Sequence, residues 1–188
     1  MKSVRPGTVS GKLVAPPSKS MFQRAIAASV LSQGQSILYA HSICDDVEAA
    51  LSVATALGAE ASYNGGTLTL QGGGAVSSRT LDCGQSGLCL RMFSAVSSLF
   101  AVELTLDARG PLRERPMDMI QTPLITLGAS CTTQHGKTPI KIHGPIQGGV
   151  VEIDGSVSSQ FLTGLLIALP YCQNDSEVHA LNLTSKPY

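Results

Sequence analysis

Basic side chains stand close to two predicted helix starts in this chain, and their placement points to binding of anions. The first start lies in residues 16–20 (PPSKS), where Lys19 is followed by Ser20 and, one turn later, by Arg24. The second lies in residues 83–87 (CGQSG), with Arg91 one turn inside the helix. Free backbone N–H groups already give a helix start partial positive charge, so added cations are unfavourable there unless an anion is bound. Phosphate and carboxylate groups suit such a site best.

Ordinary structural roles explain part of these patterns. Ser18 and Ser20 are good N-caps, but a cap does not account for Lys19 in the first turn, where repulsion from the helix dipole costs roughly 0.3–1 kcal/mol. Residues 83–87 alone are equally typical of a glycine turn between a strand and a helix. We therefore interpret the first segment as an anion site, and the second as one because the chain repeats the arrangement.

A third predicted helix start, in residues 154–160 (DGSVSSQ), carries no cation. Ser158 and Ser159 suit an N-cap almost as well as an anion site, and both interpretations stay open. Gln160 can donate and accept hydrogen bonds at once, which suits a bridge between two ligands.

An Arg-Glu-Arg-Pro sequence precedes a further predicted helix. Pro116 is typical of a first helical turn, which puts Arg115 directly at the helix start. A planar guanidinium there suits bidentate binding of a carboxylate or phosphate, whereas Arg113 is well explained as part of a solvated loop. We interpret Asp45 and Asp46 as carboxylates that stabilise a helix N-terminus, with no catalytic role.

The composition restricts the classes of function. The formal net charge of the 188 residues is zero and only 14% of them are charged, which argues against a nucleic-acid partner. The five cysteines include no C-x-x-C pair and the four histidines show no ligand spacing, so we predict no metal and no cofactor. Reduced thiols and the absence of a signal or membrane-spanning segment predict a cytoplasmic protein with no membrane partner.

The chain contains a repeat of about seventy residues. The tripeptide Leu-Gly-Ala occurs at residues 57–59 and 127–129, which are 70 positions apart, and each copy closes a predicted helix. We expect Pro123 to kink the second of these helices. A β-hairpin is predicted after each copy, with turns at residues 64–66 and 135–137.

Each unit therefore has the predicted order strand, helix, strand, helix, hairpin, which defines an α/β (α+β) fold. Repeats at about 12–75 and 79–145 are predicted to be complete, and a third, at 146–188, stops within the unit. Such units bury their faces on one another, and a closed, threefold-like lobe would bring the helix starts to one end. We expect residues 12–188 to form an incomplete substrate-binding lobe of a longer protein.

At these residues the chain resembles the enolpyruvyl transferases, in the branch of the enolpyruvylshikimate-phosphate synthases. The most specific matches lie at residues 17–24, 115–117, 154–163 and 185–188, in family order. The resemblance implies two lobes, each a pseudo-threefold, inside-out α/β barrel of three such units, with the helix starts facing the cleft between the lobes. It also implies that residues 1–11 belong to the other lobe.

The resemblance further implies transfer of the enolpyruvyl group of phosphoenolpyruvate to the 5-hydroxyl of shikimate 3-phosphate, in the biosynthesis of chorismate and the aromatic amino acids. The residues it implies for shikimate 3-phosphate are Lys19, Ser20, Arg24, Ser158, Ser159, Gln160, Ser185 and Tyr188. Those it implies for phosphoenolpyruvate are Lys19, Gly87, Arg91, Arg115 and Gln160. The family's acid and base residues are expected beyond Tyr188, in a missing C-terminal lobe, so we expect this chain alone to be inactive.

The chain departs from the family pattern at two places. A family loop Gly-Asn-Ala-Gly-Thr is replaced by residues 84–88 (GQSGL), so Gln85 adds a methylene and Leu88 replaces a hydroxyl. We expect both changes to weaken phosphoenolpyruvate binding or to alter sensitivity to glyphosate, the family's inhibitor. Pro17 replaces a glycine and fixes φ there.

Two alternatives remain from the residues alone. One is a non-catalytic lobe that binds a phosphorylated small acid. The other is the sister transferase that acts on a UDP-sugar, against which the Ser-Lys-Ser and Ser-Ser-Gln motifs argue.

Overall fold

The structure, a computed structural model, describes residue 3, residues 5–156 and residues 158–183. Its α-helices are α1 (Lys19–Leu31), α2 (Asp45–Ala56), α3 (Gly87–Ser97), α4 (Gln121–Thr126) and α5 (Gln160–Ala168). Its strands are β1 (Gln35–Tyr39), β2 (Glu60–Asn64), β3 (Thr67–Gln71), β4 (Thr80–Asp82), β5 (Glu103–Asp107), β6 (Ser130–Gln134), β7 (Lys137–His143), β8 (Gly149–Asp154) and β9 (Ser176–Leu181). Short 3-10 helices occupy Gly110–Glu114, Asp118–Ile120 and Leu169–Tyr171. No helix in the described parts of the chain is long and apolar enough to cross a membrane.

The strands form three separate sheets, one for each predicted repeat. Their orders are β1-β3-β2, β4-β5-β7-β6 and β8-β9. In the second unit β4 and β5 run parallel on either side of α3 in the chain, and β8 and β9 do the same around α5. Each complete unit ends in an antiparallel hairpin, as predicted. The glycines that follow α2 and α4 have nearly the same left-handed φ, 103° at Gly58 and 104° at Gly128, so the two helix ends are close copies.

The helix α3 lies in the interior of the lobe and packs against α1 and α5, which keep some exposed residues such as Met21 and Leu166. All residues of α3 from Leu88 to Ser97 are buried, which requires neighbours on every side of this helix. Strands β3, β5 and β7 bury alternate residues, such as Leu68 and Leu70 of β3, as expected for sheets with one face on the core. Helices inside and sheets outside confirm the inside-out α/β class that the resemblance implied.

Two helices of the lobe approach each other closely at Gly164 in α5. A Cβ atom on Gly164 would overlap the carbonyl oxygen of Met92 in α3 and lie 3.0 Å from Cβ of Ala95. Glycine is therefore needed for the contact between these helices, and through it for the position of the start of α5.

Three expectations about local structure are wrong. The first unit lacks its opening strand, because residues 5–18 contain neither helix nor strand. Pro123 does not kink a long helix: α4 begins at Gln121, which puts the proline in the first turn, where no N–H is needed. Arg115 does not start an α-helix but lies at the end of the 3-10 helix Gly110–Glu114, since the N–H of Met117 donates to Gly136 and holds the chain extended.

Gly164→Ala should destabilise the lobe. Alanine gains about 1 kcal/mol of helix propensity, but the overlap with a backbone oxygen cannot be relieved by a rotamer change, so we expect a net loss of about 1–2 kcal/mol and a lower Tm. Thermal unfolding followed by circular dichroism measures it. Gly34→Ala is the control, because an added Cβ there would meet only Ser32 Oγ, at 4.0 Å. An unchanged Tm in Gly164→Ala would contradict the packing described for α3 and α5.

Candidate anion-binding site

Three polar side chains surround Gly87 at the start of α3. A Cβ atom built on Gly87 would lie 3.1 Å from Nη1 of Arg91. The same atom would lie 3.7 Å from both Nη1 of Arg115 and Oε1 of Gln160. Arg91 Nη1 donates a hydrogen bond of 2.9 Å to Gln160 Oε1. The space left by the absent side chain of Gly87 therefore faces two guanidinium groups and one amide.

The local sequence explains how α3 presents this site. Ser86 is the N-cap residue, and its Oγ accepts a hydrogen bond of 3.3 Å from the N–H of Cys89, which starts the helix at Gly87. Arg91 lies four residues after Gly87 and so on the same face of the helix, as the spacing predicted. Glycine at the first position leaves room for the guanidinium to fold back over the helix start.

No carboxylate in the described parts of the chain pairs with Arg91 or Arg115. Arg91 is only 7% exposed, and its Nε is buried without a hydrogen-bond partner among the described residues. Burial, and then the positive charge of Arg115, lower the pKa of Arg91. Two like charges held together in this way favour a bound anion.

Neighbouring basic residues are paired, which distinguishes them from this site. Arg113 lies 2.7 Å from a carboxylate oxygen of Asp107, and Lys137 lies 2.7 Å from one of Glu114. The hydrogen bond and charge of Lys137 lower the pKa of Glu114. Arg113 is exposed, as a solvated loop predicted, but it belongs to the 3-10 helix Gly110–Glu114 and is paired with a carboxylate.

Lys19, the first residue of α1, forms an ion pair that the sequence did not indicate. Its Nζ lies 2.8 Å from Oδ2 of Asp46, and the hydrogen bond and then the charge of that carboxylate raise the pKa of Lys19. Asp46 lies in the first turn of α2, as predicted, and so also acts as a counter-charge to Lys19. Nothing in the spacing of residues 19 and 46 shows that these helix starts are adjacent. The repulsion at the start of α1 is therefore already relieved in part.

Arg24, one turn inside α1, has an unpaired donor. Its Nη1 is buried and has no hydrogen-bond partner in the described residues, and Ser20, four residues earlier, is half-buried. A buried donor without an acceptor costs about 1–3 kcal/mol. An anion bound beside α1 would supply the missing acceptor.

The third predicted helix start contributes Gln160 to the site. The N-cap residue of α5 is Ser159, and Ser158, one residue earlier, accepts a hydrogen bond of 3.2 Å at its Oγ from the N–H of Gln160. Ser158 and Ser159 are half-buried. Ser185 and Tyr188 lie outside the described residues.

The two departures from the family loop lie beside the site. Leu88 is 7% exposed and its side chain belongs to the hydrophobic core. Gln85 is exposed, and its Oε1 would lie 2.9 Å from a Cβ on Gly110. Their effects on phosphoenolpyruvate and glyphosate stay predictions.

Fold and site together define a class of protein: an inside-out α/β repeat lobe that holds uncompensated arginines where its helix starts meet. The family model of EPSP synthase (3-phosphoshikimate 1-carboxyvinyltransferase) matches residues 4–188. The chain belongs to this family, as its motifs predicted.

Curated relatives and a solved structure agree with this assignment. The chain is 38% identical over 187 residues to a 3-phosphoshikimate 1-carboxyvinyltransferase of Methanocorpusculum labreanum, and 32% identical over 189 residues to one of Clostridium kluyveri. These alignments cover 96% and 99% of the chain but 44% of each relative. The EPSP synthase structure from Acinetobacter baumannii superposes with a TM-score of 0.82 at 25% identity, over 94% of this chain and 41% of that one. The chain thus spans less than half the length of these relatives.

Asp46→Asn should lower the pKa of Lys19 towards the ordinary value of a lysine, because the hydrogen bond and charge that raise it are lost. The pKa of Lys19 is higher in the folded chain than in the unfolded chain. The ion pair therefore contributes its full stabilisation at pH values below the unfolded pKa, and this contribution is lost as pH rises through the folded pKa. NMR titration of labelled lysine amines measures the change. Asp45→Asn, in the same helical turn, is the control and should leave the Lys19 pKa raised. An identical Lys19 titration in wild type and Asp46→Asn would contradict the ion pair.

Gly87→Ala should weaken anion binding. The added methyl group would lie 3.1 Å from Arg91 Nη1 and fill the space that faces Arg115, so we expect the Kd for inorganic phosphate to rise about tenfold, or about 1.4 kcal/mol. Calorimetric or NMR titration measures the Kd, and Gly34→Ala is again the control. Equal Kd values in wild type and Gly87→Ala would exclude this space as the anion site.

Proposed function

We propose that the protein containing this chain transfers the enolpyruvyl group of phosphoenolpyruvate to the 5-hydroxyl of shikimate 3-phosphate and releases phosphate. The observation that carries the proposal is the pair of uncompensated guanidiniums, Arg91 and Arg115, around the space beside Gly87. Both substrates carry a phosphate and a carboxylate, which are the groups that guanidiniums and helix starts bind best. Family membership and the names of the relatives support the same reaction.

The proposed subsites follow the helix starts. Phosphoenolpyruvate is bound by Gly87, Arg91, Arg115 and Gln160, with Lys19 contacting both substrates. Shikimate 3-phosphate is bound by Lys19, Ser20, Arg24, Ser158, Ser159 and Gln160, and by Ser185 and Tyr188. The contact between Arg91 and Gln160 supports a shared boundary between the two subsites, since Gln160 is assigned to both.

The reaction needs a proton for the methylene carbon of phosphoenolpyruvate and attack of the 5-hydroxyl oxygen, which gives up its proton, on the adjacent carbon. A methyl proton is then lost as phosphate leaves. In this proposal the arginines and Lys19 hold the phosphate and carboxylate charges in place while these bonds change. The groups that donate and remove protons are proposed to belong to a C-terminal lobe.

Lys19 would exchange its partner when substrate binds. In the structure its amine contacts Asp46 and is 57% exposed as a side chain, so it is accessible to an incoming anion.

We propose that residues 12–188 form most of one lobe and that residues 1–11 pack in the other. Val9 is 98% exposed, which supports a partner surface for the N-terminal segment. The five cysteines are free, which supports a reducing compartment such as the cytoplasm.

Binding of shikimate 3-phosphate to this chain tests the substrate assignment. We expect weak, salt-sensitive binding, because only half of the cleft is present, and Lys19→Ala should weaken it about tenfold. Titration calorimetry measures both affinities, and Lys141→Ala, which removes an exposed lysine of β7, controls for net charge. Equal affinity in Lys19→Ala and wild type would remove Lys19 from the site.

Turnover by the full-length protein separates the enzyme from a binding lobe. Release of phosphate from phosphoenolpyruvate that depends on shikimate 3-phosphate is the expected result. Tight binding of both compounds without phosphate release would favour a binding lobe, and turnover only with a UDP-sugar would favour the sister transferase.

A further inference from the structure

A buried hydrogen bond connects the first two helix starts. Ser86 Oγ donates to Oε1 of Gln23 at 2.9 Å, while the same oxygen accepts the N–H of Cys89 as the cap of α3. Gln23 is fully buried and Ser86 is 1% exposed, so water does not compete for this bond. Gln23 belongs to α1, and the bond therefore joins the interior of α1 to the first turn of α3.

The two partners sit among the residues assigned to different substrates. Gln23 lies one turn after Lys19 and directly before Arg24, on the helix assigned to shikimate 3-phosphate. Ser86 immediately precedes Gly87 and lies five residues before Arg91, on the helix assigned to phosphoenolpyruvate. Any shift of α3 along α1 would break the bond and move one subsite relative to the other.

Gln23 does more than fill the core. Its Nε2 is buried and has no hydrogen-bond partner among the described residues, so an amide here loses donor bonds that an apolar side chain of the same size would not need. Buried polar side chains normally have a hydrogen-bond partner that accounts for their presence, and the partner of Gln23 in the structure is Ser86.

We propose that Gln23 is a positioning residue that, through Ser86, couples the phosphoenolpyruvate subsite on α3 to the shikimate 3-phosphate subsite on α1. This inference rests on the proposed function. The bond between Gln23 and Ser86 fixes the position of α3 relative to α1. An anion that binds to α1 and orders it therefore also orders Gly87 and Arg91. Neither residue touches substrate in this role.

The test measures coupling between the ligands. The Kd for phosphoenolpyruvate is determined by NMR titration of the chain with and without saturating shikimate 3-phosphate, in wild type, Gln23→Met, Ser86→Ala and the double variant. We expect shikimate 3-phosphate to change the Kd at least threefold in wild type and to have no effect in all three variants. The double variant should behave like each single variant, because both remove the same bond.

Controls separate positioning from stability. Ser94→Ala removes a buried hydroxyl of α3 that donates to Leu90 O at 2.7 Å, and it should keep wild-type coupling even if its Tm falls. Tm values of all variants show which of them are folded at the titration temperature, and Gln23→Asn, which keeps an amide but shortens its reach, replaces Gln23→Met if that variant does not fold. Unchanged coupling in the folded variant, or no coupling in a wild type that binds both ligands, would overturn the inference and leave the proposed function standing. A wild type that binds neither ligand would overturn both.

Discussion

The proximity of two arginine side chains without a carboxylate between them is the constraint on which this lobe depends. Arg91 is almost fully buried on α3, and Arg115 approaches the same space from the segment between two 3-10 helices. Their mutual repulsion and the desolvation of Arg91 oppose folding. The burial of α3 on all sides opposes that cost, since apolar residues of three units pack around it. The packing around α3 thus keeps the two guanidiniums close together despite their repulsion.

Polar contacts join the helix starts in sequence across the lobe. Lys19 contacts Asp46 between α1 and α2, Ser86 contacts Gln23 between α3 and α1, and Arg91 contacts Gln160 between α3 and α5. Buried donors on Gln23, Arg24 and Arg91 have no hydrogen-bond partner among the described residues. A ligand with several acceptor oxygens would therefore gain most at this site.

The repeat and the hairpins were predictable because their signals are local. Leu-Gly-Ala marks a helix end through one left-handed glycine, and a two-residue turn fixes a hairpin, so neither needs knowledge of distant residues. The proximity of Arg91 to Gly87, four residues earlier, was predictable from helical periodicity. The pairing of Lys19 with Asp46 and of Ser86 with Gln23 did not, because each depends on which helices pack side by side. The position of Arg115 was misjudged since proline signals a helix start only approximately, and here the helix begins five residues later, at Gln121.

The parallel pairing of β8 with β9 has a consequence for how the lobe assembles. Gly149 pairs with Ser176 across the whole of α5, whereas Gln134 pairs with Lys137 across a two-residue turn. Closing the loop between β8 and β9 costs more chain entropy than closing a hairpin. We therefore expect the hairpins to form early and the β8-β9 sheet late. Gln160 belongs to that late unit. During synthesis the arginines of α3 would therefore remain without their amide partner until this third unit docks, and anion affinity would follow that step.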